Sequence, residues 1–185
     1  YSVALTNGTV ALRLGLHLLG VKSQDEVLMP PISFVATANA ASHIGAIPHF
    51  IDIEPNTLGM DPNVLSNHLE NIAEIRKEGV FNKETNRKIG AIIPVHVFGL
   101  PANIKEIVEV ANKWSIPVIE DAAEALGSKF KGIHCGLFGK CGIISFNGNK
   151  IMTTGGGGIL ITNNYDLACK CRHLSTTAKI NHLWE

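Results

Sequence analysis

The run Ile89-Gly90-Ala91-Ile92-Ile93-Pro94-Val95 constrains the fold more than any other stretch of the chain. A strand with one wet face alternates apolar and polar residues. An unbroken apolar run of this length reads instead as a strand covered on both faces. Pro117-Val118-Ile119 and Gly142-Ile143-Ile144-Ser145-Phe146 repeat the pattern, and Val3-Ala4-Leu5, Val27-Leu28-Met29, His49 to Ile53 and Ile159 to Thr162 add shorter strands. Helical patterns lie between them. The first follows Asn7-Gly8-Thr9, with Val10, Ala11, Leu14 and Leu18 on one face and Leu12, Leu16 and Leu19 broadening it. Others cover Ala38 to His43, Asp61-Pro62 through Leu69, Ile104 to Trp114, and Tyr165 to Leu174. This alternation predicts an α/β domain: a mostly parallel sheet flanked by helices, with right-handed crossovers. Gly45 to Pro48 reads as a turn, and the charged stretch Arg76 to Lys88 as a solvated helix end and loop.

Composition removes several function classes. The chain has 185 residues, enough for one domain with a sizeable core, and no net charge. Nothing in it suggests a polyanion-binding surface, so nucleic acid is not expected as a partner. No apolar run reaches the ~20 residues of a membrane span. Cys135, Cys141, Cys169 and Cys171 are spaced unlike the common zinc signatures, even with His134 and His173 alongside, so no metal is expected. Free thiols in the cytoplasm are the expected state. The chain starts without Met on an apparent core strand and stops after Trp184-Glu185 without a closing element. The expectation is a piece of a longer protein.

The chemistry centres on Ser145-Phe146-Asn147-Gly148-Asn149-Lys150 and the glycines Gly155 to Gly158. Lys150 precedes the glycines and Ile151 follows it, so a P-loop is excluded. The glycines lead into a strand rather than a helix, which excludes a dinucleotide fingerprint. Gly142 to Thr162 contains no Asp or Glu. A lysine without a nearby anion, in a dry pocket, loses ammonium stability and becomes a nucleophile suited to a Schiff base with an aldehyde cofactor. A solvated lysine in a glycine-rich loop fits the same residues. Asp121 ends a buried strand, where α/β folds place ligands, and it also suits a helix N-cap. Asn7, Gly8 and Thr9 suit a phosphate site at a helix start or an ordinary cap. His96, at a strand end, is a candidate base or a hydrogen-bonded structural residue.

These motifs together resemble the DegT/StrS family of pyridoxal-phosphate-dependent sugar aminotransferases. The branch they are most similar to aminates 4-keto-6-deoxy nucleotide sugars on routes to bacillosamine and legionaminic acid. The matching residues are Asn7-Gly8-Thr9, Pro31 to Asn39, Pro94-Val95-His96, Glu120 to Glu124, and Ser145 to Lys150, in family order. The resemblance implies the large domain of a fold-type I (aspartate aminotransferase-like) enzyme, with residues 1–185 a part of that domain. A segment before it and a C-terminal small domain would be missing. It implies pyridoxal 5'-phosphate on Lys150, with Asp121 facing the pyridine nitrogen and Phe34 stacking on the ring. Gly8, Thr9 and Ser145 would cradle the phosphate, and Glu124 would lie near the phenolic oxygen or the sugar. It further implies a nucleotide-linked keto sugar, glutamate as amino donor, a homodimer, and a place in surface-polysaccharide amino-sugar synthesis. The family's deoxysugar dehydratases carry His where this chain has Lys150. A non-catalytic fragment that binds cofactor or nucleotide sugar is the reading from another class.

Overall fold

The computed structural model describes residues 1–180. In chain order the elements are β1 (Ser2–Leu5), α1 (Gly8–Leu18), β2 (Glu26–Met29), α2 (Ala36–Ser42), β3 (Ile47–Phe50), α3 (Pro62–Ile72), β4 (Ala73–Arg76), β5 (Gly79–Asn82), β6 (Ile89–Ile92), a 3-10 turn at Val97–Gly99, α4 (Ile104–Lys113), β7 (Ile119–Asp121), β8 (Lys129–Phe130), β9 (Ile133–His134), β10 (Cys141–Ser145), β11 (Gly158–Ile161) and α5 (Tyr165–Leu174).

The main strands form two ladders, β3-β2-β6 and β7-β10-β11-β1. Parallel bridges Ile92↔Val118 and Val95↔Asp121 join them edge to edge. β3, β2, β6, β7 and β10 pair in parallel; β11 is antiparallel to both β10 and β1. The expected parallel sheet therefore carries one reversed strand. The reversal follows from the connection: the glycine loop after Lys150 folds the chain straight back on β10, pairing Ser145 with Gly158.

Neighbouring residues of one strand feed opposite sides of the sheet. Val27 and Met29 pack with Leu12 and Leu16 of α1, Ala40 and Ala41 of α2, and Ala168 and Cys171 of α5. Leu28, between them, packs with Leu65 and Leu69 of α3 and Ile107 and Ala111 of α4. This is the two-faced burial that the apolar runs require. The buried face of α1 is Ala11, Leu12, Gly15 and Leu16, rotated from the expected one; Leu14 and Leu18 lie at its margin. Gly15 sets the rotation, because a Cβ there would sit 2.3 Å from Ile119 Cδ1.

Two local expectations are corrected. Ile47 and Pro48 are already strand, tolerated because β3 is an edge and needs no donor from Pro48 on its open side. The charged stretch from Arg76 holds the end of β4, the turn and β5 of an antiparallel hairpin, which buries Val80 and Asn82 on one side and leaves the charges outside. Between β7 and β10 the chain also forms a short antiparallel hairpin, β8–β9.

Candidate active site

The carboxyl ends of β6, β7 and β10 meet the start of α1 around a cavity of about 520 Å³. All seven candidate residues, Gly8, Thr9, Phe34, Asp121, Glu124, Ser145 and Lys150, line it.

Asp121 is the last residue of β7 and only 6% exposed. Its Oδ2 accepts the Thr37 hydroxyl at 2.6 Å and its Oδ1 accepts the Ala123 N–H at 3.1 Å. Burial pushes its pKa above the usual carboxylate range, while these two hydrogen bonds and the nearby His96 and Lys150 pull the other way. A cation bound in the cavity would favour the ionised form further. Thr37 had no assigned role in the sequence; its signal was a polar residue on the buried side of a short, alanine-rich helix.

Lys150 follows β10 in the turn Asn147–Lys150, closed by its own N–H to Asn147 O at 3.0 Å. Its side chain is 10% exposed. It is not isolated from anions, because Nζ donates to Glu124 Oε1 at 2.8 Å. The empty stretch of sequence around Lys150 did not translate into an empty neighbourhood; the partner comes from 26 residues away. Nζ also lies 5.7 Å from the centre of the Phe34 ring, whose residue is 70% exposed. Glu124 holds a second partner, the Phe98 N–H, at 3.1 Å on Oε2.

Asn7 caps α1, its side chain accepting the Val10 N–H at 2.8 Å. The N–H groups of a first helical turn point past the helix end and suit a phosphate. Two close approaches bring Ser145 and the glycine loop to this spot. A Cβ on Gly8 would lie 3.2 Å from Ser145 Cβ, and one on Gly158 would lie 2.6 Å from the Asn7 carbonyl carbon. Amine, buried carboxylate, exposed ring and helix start together fit a phosphorylated pyridine aldehyde.

His96 does not fit the role of a base. Its side chain is fully buried; Nε2 is 3.0 Å from Glu120 Oε2 and Nδ1 accepts the Ala102 N–H at 3.1 Å. Burial pushes its pKa down, but Cys135 and Glu120 pull harder the other way, to about 9. The Ala102 N–H aimed at Nδ1 opposes the second proton that such a value implies. The hydrogen bonds support the neutral ring with its proton on Nε2. Among the described residues no group of three or more His, Cys, Asp or Glu is placed to hold a metal, and all four cysteines are free.

A family profile for the DegT/DnrJ/EryC1/StrS aminotransferases matches residues 1–183. The chain belongs to that family. It is 43% identical over 178 residues to EpsN of Bacillus subtilis (strain 168), named as a pyridoxal phosphate-dependent aminotransferase, covering 96% of this chain and 43% of EpsN. It is 40% identical over 173 residues to the GDP-perosamine synthase of Escherichia coli O157:H7, covering 94% and 43%. A DegT-family aminotransferase structure from Brucella abortus superposes with a TM-score of 0.86 at 31% identity, over 100% of this chain and 48% of that one. The Bacillus subtilis ntda structure, described with bound cofactor PMP, superposes with a TM-score of 0.75 at 32% identity, over 95% and 36%. The chain thus spans less than half the length of these DegT-family relatives. Its fold is that of the fold-type I aminotransferases. No helix among the described residues is long and apolar enough to cross a membrane.

Proposed function

We propose that this chain is the cofactor-binding part of the large domain of a pyridoxal-phosphate-dependent aminotransferase. Its proposed acceptor is a 4-keto-6-deoxy nucleotide sugar and its proposed donor is glutamate. The observation that carries the reading is the cavity in which Lys150 Nζ, Glu124, Asp121 and the start of α1 converge. Relatives named for GDP-perosamine synthesis support a nucleotide-linked sugar as acceptor.

Bound pyridoxal phosphate supplies the electron sink that transamination needs. The residues of this chain supply the rest. Lys150 Nζ is the amine that would hold the cofactor aldehyde, and it would also carry a proton to and from the substrate carbon. Glu124 Oε1, already accepting from that amine, takes the proton that Lys150 must shed to become a nucleophile. Asp121 holds a proton at the pyridine nitrogen, and Thr37 and Ala123 keep its carboxylate aimed. Phe34 offers a ring face, while Gly8, Thr9 and Ser145 take the phosphate. The proposed assembly is a homodimer of the full-length protein, supported by the exposed apolar residues Phe34, Val35 and Phe98 at or beside the cavity mouth. The proposed compartment is the cytoplasm, in keeping with four free thiols.

The test incubates the full-length protein with pyridoxal phosphate, ¹⁵N-glutamate and GDP- or TDP-linked 4-keto-6-deoxyhexose. The expected product is an amino sugar carrying ¹⁵N. Recovery of the keto sugar unchanged, or of a dehydrated sugar, contradicts the reading.

A further inference from the structure

Behind Asp121, on the buried side of β7, lies a carboxylate that the proposed chemistry does not use. Glu120 is 0% exposed and accepts four donors: Gly136 N–H at 2.7 Å and His96 Nε2 at 3.0 Å on Oε2, Phe138 N–H at 2.6 Å and Gly139 N–H at 2.7 Å on Oε1. A buried carboxylate so fully bonded is fixed in place. It holds His96, and His96 in turn organises the segment after β6. The His96 carbonyl accepts the Gly99 N–H at 3.1 Å, and its Nδ1 accepts the Ala102 N–H.

The turn clamped between those bonds is strained. Phe98 has φ 52° and Gly99 φ 80°, so two successive residues are left-handed and one of them is a bulky aromatic. Nothing about its side chain explains the conformation, since Phe98 is 78% exposed. The conformation does aim the Phe98 N–H at Glu124 Oε2, and Glu124 Oε1 faces Lys150. On the other side, Ser128 Oγ donates to Gly99 O at 2.7 Å, fastening the turn to the segment that carries Glu124.

We infer that the buried His96–Glu120 pair is a positioning device for the active-site amine. It holds the turn Val97–Gly99 in its left-handed form, the turn holds the Glu124 carboxylate through the Phe98 N–H, and Glu124 holds Lys150. His96 and Glu120 are positioning residues; neither is assigned contact with substrate or cofactor. The inference rests on the aminotransferase reading only for the role of Lys150.

The experiment splits the two nitrogens of His96 in the full-length protein. Asn keeps an acceptor where Nδ1 stands and loses the donor to Glu120; Gln does the reverse. Both are compared with the wild type alone and combined with Phe98→Gly, since glycine takes the left-handed conformation without strain. The first readout is amide exchange in the peptide containing Phe98. His96→Asn is expected to speed it about tenfold, as release of one strained left-handed residue implies, and to speed it much less in the Phe98→Gly background. His96→Gln is expected to do the same through the lost Ala102 bond. The second readout is the rate at which added pyridoxal phosphate becomes borohydride-trapped on Lys150, which should fall in His96→Asn and recover in the double variant. Equal effects in both backgrounds, or a lowered melting temperature with unchanged exchange at Phe98 and unchanged trapping, overturn the inference. If the wild type traps nothing at Lys150, the functional reading falls, and the exchange readout still decides the role of the pair.

Discussion

At the scale of single residues, Asp121 is a carboxylate that the fold has taken out of water, with a hydroxyl and one N–H as its donors among the described residues. Asp121→Asn keeps the shape but cannot hold a proton on the pyridine nitrogen. The expected outcome in the full-length enzyme is retained cofactor binding with kcat reduced more than about tenfold, or ~1.4 kcal/mol of barrier; a smaller loss removes Asp121 from that role. A second residue-scale prediction concerns His68. Its ring meets His49, Nε2 to Nε2 at 2.7 Å, and His49 Nδ1 is 3.0 Å from Glu26, a buried carboxylate also bonded by Thr85 and Asn82. Burial, and then the neighbouring His49, push the His68 pKa below 6.5, with Glu84 and Glu26 opposing. The folded state therefore resists a proton that the unfolded chain accepts, and stability present above about pH 6.5 drains away as pH falls below it. The urea midpoint should drop between about pH 6.5 and 5 in the wild type and drop less in His68→Gln; parallel profiles contradict the assignment. The sequence pointed to Lys150, Asp121 and the α1 start because motif spacing and strand ends are local properties. It was silent about Glu124 Oε1 facing Lys150 and about the two histidines, because those meetings depend on how distant strands stack.

At the scale of elements, what was legible was what one stretch encodes by itself. Tyr165 to Leu174 forms α5 at the residues its pattern marks, and Asp61-Pro62 starts α3 through Asp61 Oδ1, which accepts the Asn63 N–H at 2.7 Å and the Val64 N–H at 3.3 Å. Asp61→Ala should cost about 1 kcal/mol in denaturant unfolding, and a change within error shows the cap to be idle. What was not legible required a partner strand. Ala73 to Asn82 carries Glu74, Arg76, Lys77 and Glu78, so its charges suggest solvent, yet pairing Ile75 with Val80 lets Val80 join the core under α3 and α4. The reversal of β11 was hidden for the same reason. Strand polarity is set by the loop's return path, and glycines permit a tight return without dictating it.

At the scale of the whole molecule, the chain exposes large apolar residues on and near the cavity rim: Phe34 at 70%, Phe98 at 78%, Ile151 at 69% and Met152 at 58%. Surfaces of that kind are covered in stable proteins, so the 185-residue chain alone should self-associate and hold the cofactor weakly. Sedimentation that finds a clean, cofactor-loaded monomer contradicts this. The proposed chemistry turns on one amine. Its direct test is to reduce the full-length protein with borohydride in the presence of pyridoxal phosphate and to map the modified peptide by mass. The predicted result is a single pyridoxyl group on Lys150 that is lost in Lys150→Ala and kept in Lys140→Ala and Lys170→Ala. A pyridoxyl group on another lysine, or on none, contradicts the account.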